Sequence, residues 1–188
     1  SAVHDENYIY FIATLRKQSV IRRFDAAGHM ETLVDRQGAV HSLALCGNTI
    51  YYPAMRDMGL TEIYSFDGKT EKKLTSFNDA ILTEREVCPV EEFPFTCQGL
   101  ELDGYVMKPA GFDPEKKYPI ISVVYPGPYF GFVPTSFTLD DSYCTRMAQL
   151  GFIVITVGHR GDTPMRGKAY HRYGYGNMRD YPLADDKY

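Results

Sequence analysis

The fold is decided by the stretch Tyr118-Pro119-Ile120-Ile121-Ser122-Val123-Val124-Tyr125, which runs directly into Pro126-Gly127-Pro128. Its nearly continuous apolar pattern predicts a strand that is buried on both faces, as strands of parallel sheets are. The run of proline and glycine that follows predicts a sharp end to this strand.

The residues after this strand predict a crossover connection. A helix is expected over Asp140–Leu150, because Tyr143, Met147 and Leu150 fall on one face at helical spacing. A second apolar strand is expected over Phe152–Val157. Strand, helix and strand in this order predict a βαβ unit, and therefore a parallel sheet.

A hairpin is predicted upstream of this unit. Its two strands are Phe93–Cys97 and Glu101–Lys108, and its turn lies near Gln98-Gly99. The change from the preceding pattern begins near Glu84.

Residues 1–82 are expected to form short strands separated by turns. The first four are predicted over Tyr8–Ala13, Val20–Phe24, His29–Val34 and Ala39–Leu45. The pattern then starts again, since Asn48–Tyr52 matches Asn7–Phe11 at an offset of 41 residues. Two further strands follow, Glu62–Phe66 and Lys73–Thr75. A repeat of roughly 40 residues with about four strands is typical of a β-propeller blade, whose faces are buried only by neighbouring blades. The alternative is an antiparallel sandwich that repeats by chance.

The composition excludes several classes of protein. The chain has 188 residues, 44% of them hydrophobic and 23% charged, with a net charge of −4. A net negative charge argues against a nucleic-acid partner, because phosphate binding needs a basic surface. No apolar run approaches the ~20 residues that a membrane-spanning helix requires. The N-terminus, Ser1–Asp5, has no apolar core and does not resemble a signal peptide.

The four cysteines, Cys46, Cys88, Cys97 and Cys144, show no C-x-x-C spacing, which argues against zinc and thioredoxin-type chemistry. We expect buried free thiols. A bridge between Cys88 and Cys97 would require Cα atoms within ~7 Å of each other.

Several motifs together resemble the prolyl oligopeptidase family of serine peptidases. The first is Lys116–Pro119 leading into Val123–Pro128, which resembles the opening of that family's hydrolase domain. Further matching segments are Gly151–Val154, His159–Gly161, Gly167, Gly174–Asn177 with Asp185, and Leu74–Asn78. The segment Tyr125–Pro128 points to the dipeptidyl-peptidase IV-like branch.

The resemblance implies about two partial β-propeller blades over residues 1–83, followed by the N-terminal part of an α/β-hydrolase domain over residues 84–188. It also implies a serine-type exopeptidase or oligopeptidase that cleaves peptides through a Ser-Asp-His triad, without a cofactor or a metal. Two alternatives stay open. One is a relative of acylaminoacyl peptidases or carboxylesterases, and the other is a non-catalytic propeller module that binds a partner.

The nucleophile is not found in this sequence. None of its eight serines lies in the G-x-S-x-G pattern of the strained turn that carries a catalytic serine. In hydrolases of this fold the triad aspartate and histidine follow that serine in the sequence. We therefore expect a fragment that ends before the nucleophile turn and is inactive by itself.

Tyr125 is the one catalytic residue that the sequence offers. The resemblance implies that its hydroxyl donates to the oxyanion of the tetrahedral intermediate, and the plainer alternative is a packing aromatic at a strand end. Arg160 is expected to hold its loop by hydrogen bonds to carbonyl groups or to a carboxylate, and little chemistry is expected of His159. No metal site is expected from Asp162, Asp180, Asp185, Asp186 and His171, and Tyr170, Tyr173, Tyr175 and Tyr181 are expected to pack over a loop.

The expected partners are a peptide substrate and further copies of the chain. An incomplete sheet leaves apolar faces and strand edges open, and self-association covers them. The resemblance implies a periplasmic or extracellular location.

Overall fold

The computed structural model describes residues 1–15, 18–56, 59–84, 88, 90–124, 143–161 and 166–187. The described residues up to 84 form one compact unit, and those from 88 onward form a second. Among the described residues, no helix is long and apolar enough to cross a membrane.

The first unit begins with a four-stranded antiparallel sheet in sequence order. Its strands are β1 (Ala2–His4), β2 (Tyr8–Leu15), β3 (Gln18–Asp25) and β4 (Met30–Val34). The three strands predicted for this stretch are confirmed, and β1 is an additional one.

A second antiparallel sheet follows. Its strands are β5 (Gly38–Val40), β6 (Ala44–Cys46), β7 (Thr49–Arg56), β8 (Glu62–Phe66) and β9 (Glu71–Lys73). The strands run in the order β5-β7-β8-β9, and β6 also pairs with β7. The predicted strands at β7 and β8 are confirmed, whereas β9 lies two residues earlier than the predicted Lys73–Thr75.

The single strand predicted over Ala39–Leu45 is wrong, because two short strands occupy this stretch. Val40 pairs with Ala54 and Ala44 pairs with Tyr51, so β5 and β6 lie against successive parts of β7. Between them β7 carries Pro53, which has no N–H to donate and interrupts the ladder.

A buried apolar cluster spans both sheets of this unit: Tyr10, Ile21, Val34, Val40, Leu43, Ile50, Tyr52, Ala54, Tyr64 and Phe66. The short helix α1 (Asp79–Glu84) closes the unit.

The second unit is built on a four-stranded mixed sheet with the order β10-β11-β13-β12. Its strands are β10 (Val90–Cys97), β11 (Leu100–Met107), β12 (Ile120–Val123) and β13 (Ile153–Val157). The predicted hairpin is confirmed: β10 and β11 are antiparallel, and the turn residues Gln98 and Gly99 have φ values of 49° and 81°. Two consecutive residues with positive φ are the geometry of a tight hairpin turn.

The predicted βαβ crossover is also confirmed. β12 and β13 are parallel, and the helix α2 (Tyr143–Gln149) lies between them in the sequence. The first three residues of the predicted helix, 140–142, lie outside the described residues. Leu150, predicted to share a helix face with Met147, lies just past the last helical residue and is 70% exposed, whereas Met147 is half-buried. Two further helices complete the unit, α3 (Lys168–His171) and α4 (Asp180–Lys187).

The prediction that β12 is buried on both faces is wrong. Ile120 is 62% exposed, and exposed and half-buried residues alternate along the strand. β12 pairs only with β13 among the described strands, so it is the edge of the described sheet. An apolar run is therefore not sufficient to place a strand in the middle of a sheet.

Candidate functional site

The candidate site lies at the carboxyl ends of the two parallel strands, β12 and β13. In open sheets with parallel strands, ligands bind at this edge. The segment Gly158-His159-Arg160 follows β13, and the Gly158 N–H donates to the Asp103 carbonyl oxygen at 2.8 Å. Tyr125, the predicted oxyanion donor, follows β12 in the sequence but lies outside the described residues. Its role stays a prediction.

Arg160 is held by Asp185 of helix α4. The Arg160 Nε atom donates to both carboxylate oxygens of Asp185, at 2.8 and 3.1 Å, and Nη2 donates to Oδ1. The Arg160 backbone N–H also donates to Asp185 Oδ2, at 2.9 Å. Both side chains are almost fully buried, at 1% and 0% exposure. Of the two predicted kinds of partner, carbonyl groups or a carboxylate, Arg160 binds the carboxylate.

The rest of the guanidinium group connects other parts of the second unit. Its Nη1 donates to the Gln98 side-chain oxygen at 2.8 Å, and Nη2 donates to the Cys97 sulfur at 3.2 Å. The rings of Tyr173 and Tyr181 each have their centroid 5.6 Å from the guanidinium carbon, within the range of a cation–π contact. Arg160 thus contacts the β10–β11 turn, helix α4 and the segment between α3 and α4, residues 172–179, which we call the Tyr-rich loop.

The charges at this point are fixed. The hydrogen bond to Asp185 raises the pKa of Arg160, so the guanidinium stays protonated. Burial, together with the Asp185 carboxylate, raises the pKa of the Cys97 thiol. Because the thiolate is the nucleophilic form of cysteine, Cys97 is a structural thiol and not a reactive one.

Cys88 and Cys144 are buried free thiols like Cys97, whereas Cys46 is exposed, which corrects the prediction that all four are buried.

His159 and Asp186 form a second buried pair beside the first. The His159 Nδ1 atom lies 3.8 Å from Asp186 Oδ1, and the side chains are 3% and 14% exposed. Burial raises the pKa of the Asp186 carboxyl. Little chemistry is expected of His159 from the sequence, and Asp186 is considered there only as a member of a metal cluster that is not expected. The only signal was the adjacency of Asp185 and Asp186, which places two carboxylates at one end of a short helix.

The other predicted residues are placed as follows. Asp180 is an exposed first residue of α4 and pairs with Arg179 at 2.7 Å, while Asp162 lies outside the described residues. Within the described ranges, no three His, Cys, Asp or Glu residues are grouped so that they could hold a metal ion. Tyr173 packs edge-on against Tyr181 at 5.1 Å, whereas Tyr175 is 88% exposed.

The comparisons with known proteins give relatives for this arrangement, although no family model matches the chain. The chain is 28% identical to dipeptidyl-peptidase 5 of Porphyromonas endodontalis over 193 residues. This alignment covers 95% of the chain and 27% of that protein. Over 112 residues the chain is 34% identical to the probable dipeptidyl-aminopeptidase B of Penicillium rubens, covering 56% of this chain and 12% of that protein. The predicted resemblance to the dipeptidyl-peptidase branch of the prolyl oligopeptidase family is confirmed.

Solved structures of peptidases share the fold. Dipeptidyl peptidase 4 of Porphyromonas gingivalis matches with a TM-score of 0.73 and 22% identity, over 93% of this chain and 26% of that one. An acylaminoacyl peptidase of Pyrococcus horikoshii matches with a TM-score of 0.70 and 22% identity, over 87% of this chain and 25% of that one. The chain therefore spans at most about a quarter of the length of these relatives.

Proposed function

We propose that this chain is part of a serine-type peptidase that removes dipeptides from peptide substrates. The observation that carries the proposal is the similarity to dipeptidyl-peptidase 5, which extends over 95% of the chain and so includes both compact units. The mixed sheet of the second unit supports it, because its parallel strands end at an edge where catalytic groups can gather.

In this proposal residues 1–83 are the C-terminal blades of a β-propeller, and residues 84–188 are the N-terminal part of an α/β-hydrolase domain. The two successive antiparallel sheets of the first unit support the propeller assignment. The hairpin followed by a parallel crossover supports the hydrolase assignment. The nucleophilic serine and its triad partners would then be supplied by sequence that this chain does not contain.

Tyr125 is the catalytic residue that this proposal assigns to the chain. In the sequence it comes two positions after Val123, the last residue of β12, and β12 ends at the carboxyl edge of the parallel pair. A donor placed there would stabilise the negative charge that develops on the carbonyl oxygen in the transition state, whereas the same group contributes little to ground-state binding.

The test is Tyr125→Phe in the complete enzyme, with a proline-linked chromogenic dipeptide as the substrate. We expect kcat to fall by a factor of about 10² to 10³, which is the usual cost of removing one oxyanion donor. The matched control is Tyr118→Phe, at a tyrosine whose hydroxyl accepts from the Asp113 N–H at 2.9 Å, and it leaves kcat unchanged. An unchanged kcat for Tyr125→Phe would contradict the assignment.

The 188-residue chain alone is predicted to be inactive, because it carries no G-x-S-x-G serine. The same chromogenic substrate tests this directly. Hydrolysis by the purified chain, abolished by a serine-directed phosphonate, would show that the nucleophile lies within it.

A second candidate is an acylaminoacyl peptidase, which the likeness to the Pyrococcus horikoshii enzyme favours. The two activities differ at the substrate's N-terminus, which is a free amine in one case and an acylated one in the other. Paired assays of the complete enzyme on free and N-acetylated forms of one peptide separate the two candidates.

We also propose that the chain self-associates and that the complete protein works in the periplasm or outside the cell. Self-association is supported by exposed apolar side chains in the second unit, Ile120, Val124 and Leu150. Light scattering across a wide concentration range tests it, and a constant monomeric mass would contradict it.

A further inference from the structure

His159 is a buried side chain, and Asp186 beside it is 14% exposed with one buried carboxylate oxygen, Oδ1. In the described part of the chain, neither ring nitrogen of His159 has a hydrogen-bond partner, and neither does Asp186 Oδ1. The closest approach between them, 3.8 Å, lies within ion-pair range but is longer than a hydrogen bond. Buried polar groups without partners are rare, so each one requires a physical explanation.

The charge balance around this pair gives the explanation. Arg160 is a permanent cation and is occupied by Asp185, the residue before Asp186. Of the two adjacent carboxylates, Asp185 is fully buried and paired with Arg160, whereas Asp186 is 14% exposed and has only His159 within ion-pair range in the described part of the chain. A poorly solvated charge without a partner is costly. A proton on His159 or on Asp186 would bring the four groups to neutrality.

Among the described residues, no other titratable side chain is hydrogen-bonded to the His159 ring or to Asp186 Oδ1. On α3, the Tyr170 hydroxyl donates to the His159 carbonyl oxygen at 3.1 Å and so does not serve the ring. His171, also on α3, has a buried Nδ1 without a hydrogen-bond partner in the described part of the chain. The remaining groups contact Arg160 instead, namely Cys97 on β10, Tyr173 in the Tyr-rich loop and Tyr181 on α4.

We propose that His159 and Asp186 hold one proton between them in the folded chain, and that this proton fastens helix α4 to the segment after β13. When the proton is present, an imidazolium N–H faces a carboxylate, or a carboxyl O–H faces a neutral ring. When it leaves for solvent, the four groups keep one uncompensated negative charge, and the attachment of α4 weakens. This inference rests on the described geometry and is independent of the proposed peptidase activity.

The sign of the pH dependence follows from the number of protons bound. In the unfolded chain an aspartate releases its proton near ~3.9 and a histidine near ~6.5, so these two residues hold one proton between those values and none above. In this proposal the folded pair keeps its one proton above ~6.5, because releasing it leaves an uncompensated negative charge next to the fully buried Asp185. Because the folded state then binds more protons, stability falls as the pH rises above about 6.5.

The test is urea unfolding of the 188-residue chain between pH 6 and pH 8.5, comparing the original sequence with Asp186→Asn. For the original sequence, the unfolding constant acquires a component that rises by up to about tenfold per pH unit, the limit for one proton. In Asp186→Asn this component disappears, because the amide is neutral at every pH and can donate to His159. The matched control is Asp180→Asn, an exposed residue of the same helix, and it keeps the original slope.

His159→Gln provides the second arm. We expect His159→Gln to reduce the pH dependence of the unfolding constant. The double variant His159→Gln with Asp186→Asn should reduce it no further, because each single substitution already removes the one shared proton. If the unfolding constants of the original sequence and of Asp186→Asn change with pH in the same way, the proposal is wrong. Imidazole ¹⁵N shifts of His159 add a readout in the folded state, and a titration of His159 that Asp186→Asn leaves unmoved would also overturn it.

Discussion

The two compact units each bury a carboxylate against arginine, but they do so differently. In the first unit, Glu71 accepts from the Tyr52 hydroxyl at 2.6 Å, from Arg56 Nη2 at 2.8 Å and from Arg36 Nη1 at 2.8 Å. Its side chain is 12% exposed. In the second unit, Asp185 is fully buried and has Arg160 as its cation, with a second carboxylate next to it in the sequence.

The difference lies in redundancy. Glu71 has two cations, one of them 44% exposed, so the loss of either leaves the carboxylate with a partner or with access to water. Asp185 has no described cation other than Arg160 and no access to water. The loss of one arginine should therefore destabilise the Glu71 network only partly, whereas the Asp185 pair depends on Arg160 alone among the described cations.

The largest effect is expected for Arg160→Met. It leaves the Asp185 carboxylate buried without its cation, which costs about 3–5 kcal/mol of unfolding free energy. Amide hydrogen exchange measures the loss residue by residue. We expect amides of β11 and β13 to exchange faster, while amides of β7 and β8 in the first unit keep their rates and serve as an internal control.

Two further variants sharpen this result. Arg179→Met removes the cation of an exposed pair with Asp180, and no change in exchange is expected, because surface pairs contribute little. The double variant Arg160→Met with Asp185→Leu removes both charges and restores much of the protection, since an apolar pair needs no charged partner. Equal losses in Arg160→Met and in the double variant would show that packing of the arginine stem, and not charge, is responsible.

The sequence predicts the hairpin, the parallel crossover and the role of Arg160, because each depends on local signals. Gln98-Gly99 suits a tight turn, and an arginine that follows a buried strand needs a carboxylate near it. Which carboxylate it binds depends on how α4 folds back, and this has no local signal. The split between β5 and β6 follows from Pro53 on another strand, and the exposure of Ile120 follows from strand order, so neither is visible in its own segment.

An intermediate effect is expected for Glu71→Gln. The substitution keeps the shape but removes the charge that Arg56 and Arg36 share, at a cost of about 2 kcal/mol, typical of hydrogen bonds to charged groups. Burial acts to raise the pKa of Glu71, but hydrogen bonds from Tyr52, Arg56 and Arg36 outweigh it and lower the pKa. A lowered pKa contributes stability above the usual glutamate value, and this stability is lost as the pH falls through the lowered value.

Urea unfolding between pH 6 and pH 3, followed through exchange of the β7 and β8 amides, measures this contribution. The original sequence loses protection of these amides as the pH falls below about 4.3, the ordinary glutamate value. Glu71→Gln is less protected at pH 6 and loses less on acidification. Arg36→Met, which removes only the more exposed cation, falls between the two. Identical acid profiles for the original sequence and Glu71→Gln would mean that Glu71 is not charged in the folded unit.

The smallest effect is expected at another buried carboxylate, Glu62, which accepts hydrogen bonds only from neutral donors in the described part of the chain. It accepts from the Thr75 hydroxyl, from the Phe77 N–H at 3.1 Å and from the Asn78 N–H at 2.8 Å. Thr75→Val removes one of several donors to Glu62 and also the hydroxyl that accepts from the Ile63 N–H at 2.9 Å. We expect a cost of about 1 kcal/mol, because the remaining donors keep the carboxylate hydrogen-bonded. Thr75→Ser retains the hydroxyl and is expected to match the original sequence in urea unfolding. A loss near that of Arg160→Met would show that Glu62 is as dependent on one donor as Asp185 is on one cation, and the contrast between the two units would then rest on Glu71 alone.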